Sequence, residues 1–290
     1  MTAFTYEEMT TRNRGFVDEQ EQERLRKGSV FIPGVGGMGG AAFMALVRAG
    51  VGRFVIADID VFEVSNLNRQ LFCRADTIDQ QKAESAARLA REINPEIELE
   101  VLGREWTDRL DDILPRVDVV INGMDDAAAG AHLYRKCREH GRTLIDAYAS
   151  PLPSVTVVKP QDPRLEERLG YPTVGVDWRD ITQEMAVECL MKEIEYVLVH
   201  SSSHKYVDLD VAAEVAAGTR SRFSFSTMVT MSGTLMAEEA IRIILGREGG
   251  TDNRGYFFNA HAVKVEKPLA APLAFPKRLL VRRFMKKLMG

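Results

Sequence analysis

Residues 30–40 read VFIPGVGGMGG, an apolar run that opens onto a loop made almost entirely of glycine. Gly34, Gly36 and Gly39 satisfy G-x-G-x-x-G between a strand and a helix, and Gly37 and Gly40 add to it. Glycine lets the backbone turn tightly and approach phosphate oxygens, and the helix N-terminus that follows attracts their charge. The same glycines would also serve a plain tight turn with close helix–strand packing. Pro33 cannot donate to a sheet ladder, so it fits only as the strand's last residue. On this loop alone the ligand is either a dinucleotide that carries hydride or ATP that is split.

The rest of the chain repeats the pattern of short apolar runs and helical segments. SVFI, RFVIAD, IELEVLG, VDVVING, RTLIDAY and SVTVVKP read as strands. Residues 39–50, 79–93, 129–141, 182–200 and 226–246 read as helices, and GYFFN and AVKVEKP as a closing pair of strands. Buried runs alternating with helices predict an α/β fold, a doubly wound Rossmann-like, mostly parallel sheet with helices on both faces. Antiparallel strands are expected at its C-terminal side, and ligands at the carboxyl ends of the parallel strands. The predicted organisation is an N-terminal arm and helix over 1–28, a nucleotide-binding domain over 29–265 with a crossover or substrate segment at about 150–205, and a basic tail over 266–290. Residues 160–205 break the rhythm, and their first part, DPRLEERLGYPTVGVDW, reads as loop.

The choice of ligand turns on the residues after the second strand. Asp58 ends that strand at the spacing of a ribose-binding carboxylate, which suits either ligand. IDVFEVSNLNRQLF then packs Asn66, Asn68, Arg69 and Gln70 together. Hydride transfer has no use for a guanidinium and amides there, whereas a triphosphate needs its charge neutralised while its α-phosphorus is attacked. Lys82 opens a helix whose apolar stripe is Ala86, Leu89, Ala90 and Ile93, which places Lys82 on the inward stripe with its ammonium near the strand ends. Asp125 and Asp126, in INGMDD, fall at another strand's carboxyl end. There one carboxylate can cap the next helix while the other holds Mg²⁺ on nucleotide phosphates. These groups converge on one edge of the sheet and favour ATP.

GVGGMGG, ADIDVFEVSNLNRQLF, the Lys82 helix ending in EINP, and NGMDD together resemble the ThiF/MoeB-like adenylyltransferases, relatives of ubiquitin-activating enzymes. The resemblance is strong over about residues 10–150 and looser over 220–265. It implies a homodimer that uses ATP and Mg²⁺ to adenylate a substrate carboxylate, often the C-terminus of a ubiquitin-like carrier, with release of pyrophosphate. It further implies that Gly37 lies against the phosphates, that Asp58 takes the ribose hydroxyls, and that Asn66 and Arg69 hold phosphates. Lys82 would serve the transferring region and Asp125 the Mg²⁺, while Arg14 or Arg12 of the arm would reach the partner subunit's ATP. The chain departs from the family pattern in having no CxxC pairs for zinc, in Pro33, and in residues 151–178, where carrier-binding elements would lie.

Two other functions share parts of this signal. An NAD-dependent oxidoreductase would use the glycine loop and Asp58 but leave Arg69 and Lys82 without a task. A non-catalytic nucleotide-binding scaffold would keep ATP without acceptor chemistry. The acyl substrate, whether small protein, peptide, modified nucleoside or metabolite, is not legible.

Cys73, Cys137 and Cys189 are odd in number and far apart, which suits a reducing cytoplasm and argues against a disulfide framework. No secretion signal or membrane-spanning run is read. Cys189 sits beside Ala186, Leu190, Ile194 and Val197 with acidic neighbours, so it reads as an inert core residue. His200 and His204 stand four apart without an evident third ligand, and Asp146 either ends a strand or belongs to the ligand edge. The last fourteen residues hold six of the 38 basic residues and no acid, which leaves 32 against 42 in the body. A body ten charges negative is a poor nucleic-acid ligand. Leu280, Phe284 and Leu288 recur at i+4 in the tail, as in a helix that lies on a membrane surface or a partner protein. A frayed, solvated end fits that composition equally well.

Overall fold

The computed structural model describes residues 4–216, 219–220 and 222–289. An arm carries α1 (Tyr6–Thr10) and α2 (Glu19–Lys27) ahead of β1 (Ser29–Pro33). Then α3 (Met38–Ala49), β2 (Arg53–Ala57), α4 (Lys82–Ile93), β3 (Glu98–Leu102), α5 (Leu110–Ile113), β4 (Val119–Ile121), α6 (Ala127–Glu139) and β5 (Thr143–Asp146) alternate. The chain continues through β6 (Ser154–Val158), α7 (Leu165–Leu169), α8 (Gln183–His200), α9 (Leu209–Ala216) and α10 (Ser226–Leu245). It closes with β7 (Tyr256–Asn259), β8 (Lys264–Glu266) and α11 (Ala271–Met289).

The strands form one sheet in the order β3-β2-β1-β4-β5-β6-β7-β8. The first five are parallel and the last three antiparallel, as the sequence predicts. The strand order reverses between β1 and β4, and in open α/β sheets that switch point is where a crevice opens. Successive β1 side chains point to opposite faces, and both faces are covered. Val30 and Ile32 join the core under α3, α4 and α10, while Phe31 joins Trp106, Ile113 and Leu133 on the other side. Pro33 is the last residue of β1, where its missing N–H costs no ladder bond.

α10 covers α3 so closely that a Cβ on Gly233 would stand 2.4 Å from the Met38 carbonyl oxygen. That contact seats the glycine-rich helix against the sheet and fixes the direction of its N-terminus. At its other end α3 stops at Gly50, in the left-handed region with φ 91°.

Several elements differ from the sequence reading, which marked neither α5 nor α9. The helix expected from residue 79 starts at Lys82, because Asp79 is left-handed at φ 63° and its N–H donates to the Phe62 carbonyl. The charged stretch read as loop contains α7. Five residues are too few to show a period, and this helix is held by pairs from Glu166 to Arg135 at 2.8 Å and from Glu167 to Arg138 at 2.9 Å.

The tail forms α11 and lies along α8, with Arg282 and Arg278 paired to Glu195 at 2.8 and 3.5 Å. Ala274 and Met285 are buried. Of the stripe expected to face a membrane or partner, Leu280 is 69% exposed, Phe284 is half-buried, and the Leu288 side chain lies outside the described residues. Among the described residues no helix is long and apolar enough to cross a membrane.

Candidate active site

The glycine loop leaves β1 at the carboxyl edge of the sheet. Gly34 has φ 86°, and its N–H donates to the Ala57 carbonyl at 2.7 Å, which ties the turn to the end of β2. A Cβ on Gly39 or on Gly123 would stand 1.9 Å from the Gly34 carbonyl oxygen, so neither position tolerates a side chain. The loop after β1 and the loop after β4 are thus pressed together backbone to backbone. This contact carries Asp125, two residues beyond Gly123, to the same edge as the start of α3.

Asp58, the residue after β2, accepts the Val35 N–H on Oδ2 at 2.9 Å and the Asp60 N–H on Oδ1 at 3.0 Å. Burial pushes its pKa up, while those amides and the nearby Lys82 act to lower it. Lys82 is 8% exposed, as its place on the inward stripe predicts. Its Nζ donates to Asp60 Oδ2 at 2.9 Å, and its backbone N–H bonds to the Asp60 carbonyl. Asp60 is a site residue that the sequence reading passed over, because it lies just beyond the strand end marked by Asp58, in a run read for its amides and arginine. Its side chain is 63% exposed, so the lysine reaches from the core to a solvated partner that a bound anion can replace.

Residues 58–81 cross the edge as a loop pinned by the buried Phe62 and Phe72. Asn66 is buried and engaged inside this loop, its Oδ1 accepting the Glu63 N–H at 3.2 Å and its Nδ2 donating to Ser65 Oγ at 3.3 Å. Arg69 is half-buried, with Nη1 donating to the Ser65 carbonyl and to Asn68 Oδ1 at 3.0 and 2.8 Å. Asn68 in turn donates to the Ser224 carbonyl, linking the loop to the segment before α10. Gln70 is 7% exposed, and its Oε1 lies 3.7 Å from where a Gly36 Cβ would stand. That buried oxygen has no hydrogen-bond partner among the described residues. An orphaned acceptor against a phosphate-type loop fits a ligand that brings donors.

The two aspartates after β4 divide as the sequence allows. Asp126 caps α6 by accepting the Ala129 N–H at 2.7 Å. Asp125 is exposed and has no hydrogen-bond or ion-pair partner among the described residues. Among the described residues no group of three or more His, Cys, Asp or Glu could hold a metal by itself. A lone free carboxylate such as Asp125 is the kind of protein ligand Mg²⁺ takes when substrate phosphates supply the rest. His200 accepts the Leu269 N–H on Nδ1 at 3.0 Å, and burial lowers its pKa to about 4, so it sits neutral in the core.

Asp146, left open in the sequence, ends β5 next to this edge and is 8% exposed. Its carboxyl accepts from Asn122 Nδ2 at 3.0 Å, Tyr134 Oη at 2.7 Å and the Ala147 N–H at 2.7 Å. Asn122 Oδ1 accepts the Met124 N–H at 3.2 Å, so the network shapes the turn that presents Asp125. Burial outweighs these donors and raises the Asp146 pKa to about 7. A raised acid binds its proton more tightly folded than unfolded, so its contribution is complete below about pH 4 and fades as the pH climbs through 7. Asp146→Asn should remove this downward slope between pH 4 and 7 in denaturant-melt stabilities. An unchanged slope would mean that Asp146 is ionised throughout.

Arg14 stands elsewhere. The arm docks on the far end of α3 through Tyr6 Oη to the Gly50 carbonyl at 2.6 Å and Asn13 Nδ2 to the Ala49 carbonyl at 3.0 Å. Arg14 pairs there with Glu19 at 2.8 Å, both side chains more than two-thirds exposed. The twelve residues of α3, about 18 Å at 1.5 Å each, lie between that end and the glycine loop.

The ThiF family profile matches residues 10–277. The chain is 32% identical over 154 residues to the molybdopterin-synthase adenylyltransferase of Haemophilus influenzae, across 51% of this chain and 63% of that protein. It is 35% identical over 129 residues to the sulfur carrier protein ThiS adenylyltransferase of Escherichia coli, across 44% of this chain and 51% of that protein. These matches span about half to two-thirds of the relatives' lengths. Among solved structures, E. coli MccB with ATP superposes with a TM-score of 0.60 at 17% identity, over 86% of this chain and 66% of that one. E. coli tRNA N6-threonylcarbamoyladenosine dehydratase superposes with a TM-score of 0.57 at 20% identity, over 83% and 95%. Both likenesses concern the fold. With a profile that spans all but the ends of the chain and an edge that gathers the glycine loop, Asp58, Lys82 and Asp125, the chain belongs to the ThiF family.

Proposed function

We propose that the chain binds ATP at this edge and adenylates a substrate carboxylate. The observation that carries the reading is the buried Lys82, held by a solvated aspartate at the sheet edge that also bears the glycine loop and the unpartnered Asp125. The carboxylate oxygen bonds to the α-phosphorus, the bridging bond to the β-phosphate breaks, and pyrophosphate leaves. Gly34, Gly36, Gly37 and Gly39 admit the phosphates to the backbone, and Asp58 accepts from the ribose hydroxyls. Lys82 and Arg69 donate to phosphate oxygens as charge develops. Asn66 contributes by holding the Arg69 loop, since its own amide is engaged there. Asp125 would hold Mg²⁺, whose charge offsets that of the leaving group.

One relative is named for acting on the sulfur carrier protein ThiS, and MccB has been crystallised with MccA. The substrate we favour is accordingly the C-terminus of a small carrier or a peptide. ATP–pyrophosphate exchange tests this with a panel of carriers ending in Gly-Gly, peptides and small carboxylic acids. Exchange should require a free carboxylate and vanish when the same C-terminus is amidated. Tight NADH binding without ATP binding would favour the oxidoreductase instead.

The adenylate should end there or pass to an external acceptor. Cys189, the cysteine of the α8 segment, is 3% exposed, and burial lifts its pKa to about 11, the reverse of an activated thiolate. Cys189→Ser should keep exchange and most of the turnover. A thioester adduct that is lost in Cys189→Ser would overturn this.

A further inference from the structure

At the opposite end of the sheet, where β1, β2, β4 and β5 begin, a cavity of about 400 Å³ opens between α2 and the loops before β4 and β5. Arg24, Lys27, Arg53, Arg116 and Arg142 line it, with Asp118 as its one acid. Asp118 is already engaged, its Oδ2 accepting the Ser29 N–H and Oγ–H at 2.8 Å each. Lys27 and Arg116 hold carboxylates, Glu23 at 3.1 Å and Glu100 at 2.8 Å.

The other three cations have no carboxylate partner among the described residues. Arg24 donates to the Leu245 carbonyl at 3.0 Å, Arg53 to the Lys27 carbonyl and Arg142 to the Pro115 carbonyl at 2.8 Å. The remaining N–H groups of these guanidiniums are free of such bonds, and Arg142 Nε is buried with no partner among the described residues. An anion in the cavity would meet the free N–H groups of these three guanidiniums. This concentration of cations is unexpected on a body with a surplus of ten acids.

We propose that this cavity is a second anion site, which takes a small molecule bearing two or more phosphate groups. Three guanidiniums with N–H groups left over from their carbonyl contacts suit phosphate oxygens, and the volume is that of a small-ligand site and exceeds one phosphate. The five residues of β1, about 17 Å, separate it from the glycine loop, so one ligand does not span both sites. The site is independent of the adenylation reading.

Tripolyphosphate is the probe. On the full-length protein, phenylglyoxal labelling followed by peptide mass mapping should show Arg53 and Arg142 protected by tripolyphosphate, while the exposed Arg48 on α3 reacts as before. Citrate at equal concentration should protect neither. Unchanged labelling, or equal protection by citrate, would overturn the proposal. In calorimetry, Lys82→Ala protein, weakened at the nucleotide edge, should retain one tripolyphosphate-binding event. Adding Arg53→Gln and Arg142→Gln should weaken that event roughly 100-fold, the loss of two charge-assisted contacts. Absence of the event in Lys82→Ala, or its persistence at full strength in the triple variant, would also overturn it.

Discussion

Lys82→Ala should lower the ATP–pyrophosphate exchange rate by roughly 30- to 1000-fold, the effect of losing about 2–4 kcal/mol of stabilisation where charge develops. Arg69→Ala should fall in the same range. The fold should survive both changes. Lys82 leaves behind Asp60, whose side chain is 63% exposed and can be hydrated, and Arg69 is tied only to its own loop through Ser65 and Asn68. The ion pair creates a competing explanation, in which Lys82 matters only for tethering the segment between β2 and α4. Asp60→Asn separates the two. It removes the charge partner but leaves the backbone bond from the Lys82 N–H to the Asp60 carbonyl. If Lys82 acts on phosphate, Asp60→Asn should cost far less than Lys82→Ala. Equal losses would reduce the lysine to a tether.

The parts of this edge that were legible in the sequence are those that local periodicity encodes. The position of Lys82 on an inward stripe follows from spacing four and seven residues ahead, and the structure buries it. Pro33 at the end of β1 follows from its missing donor. The division of labour between Asp125 and Asp126 was open because either spacing can cap α6, and only backbone geometry selects Asp126. Asp60, Gln70 and the Asn122–Asp146–Tyr134 network belong to contacts between segments far apart in the chain. No local pattern marks these contacts, although Gln70 was visible as part of a polar cluster and Asp146 as a strand end open to either role. The basic cavity is still less legible, since its arginines come from α2, β2 and the loops before β4 and β5. Each reads alone as surface charge. α7 was missed because pairs with Arg135 and Arg138, some thirty residues earlier, hold a helix too short to have a period.

A mixture of Arg14→Ala and Asp125→Ala proteins should recover roughly a quarter of wild-type exchange if the chain is a homodimer whose sites are shared. Each single variant should be nearly inactive: one lacks the arginine for both sites, the other the carboxylate. Random exchange makes about half of the dimers mixed, and in each mixed dimer one site receives an intact Asp125 from one chain and an intact Arg14 from the other. The structure motivates the design. Arg14 is fixed, through Tyr6 and Asn13, to the end of α3 opposite the glycine loop, with about 18 Å of helix between. An arginine in that place cannot serve its own chain's nucleotide without the arm detaching from Gly50 and Ala49. It is nevertheless solvent-exposed and lightly held, by a single pair with the exposed Glu19, so a second subunit could draw it away at small cost. Recovery in the mixture, absent when either variant is paired with itself, would establish the shared site. If subunit exchange is verified with labelled protein and activity stays at the level of the parents, Arg14 has no role in trans, and the same pairing should be repeated with Arg12→Ala.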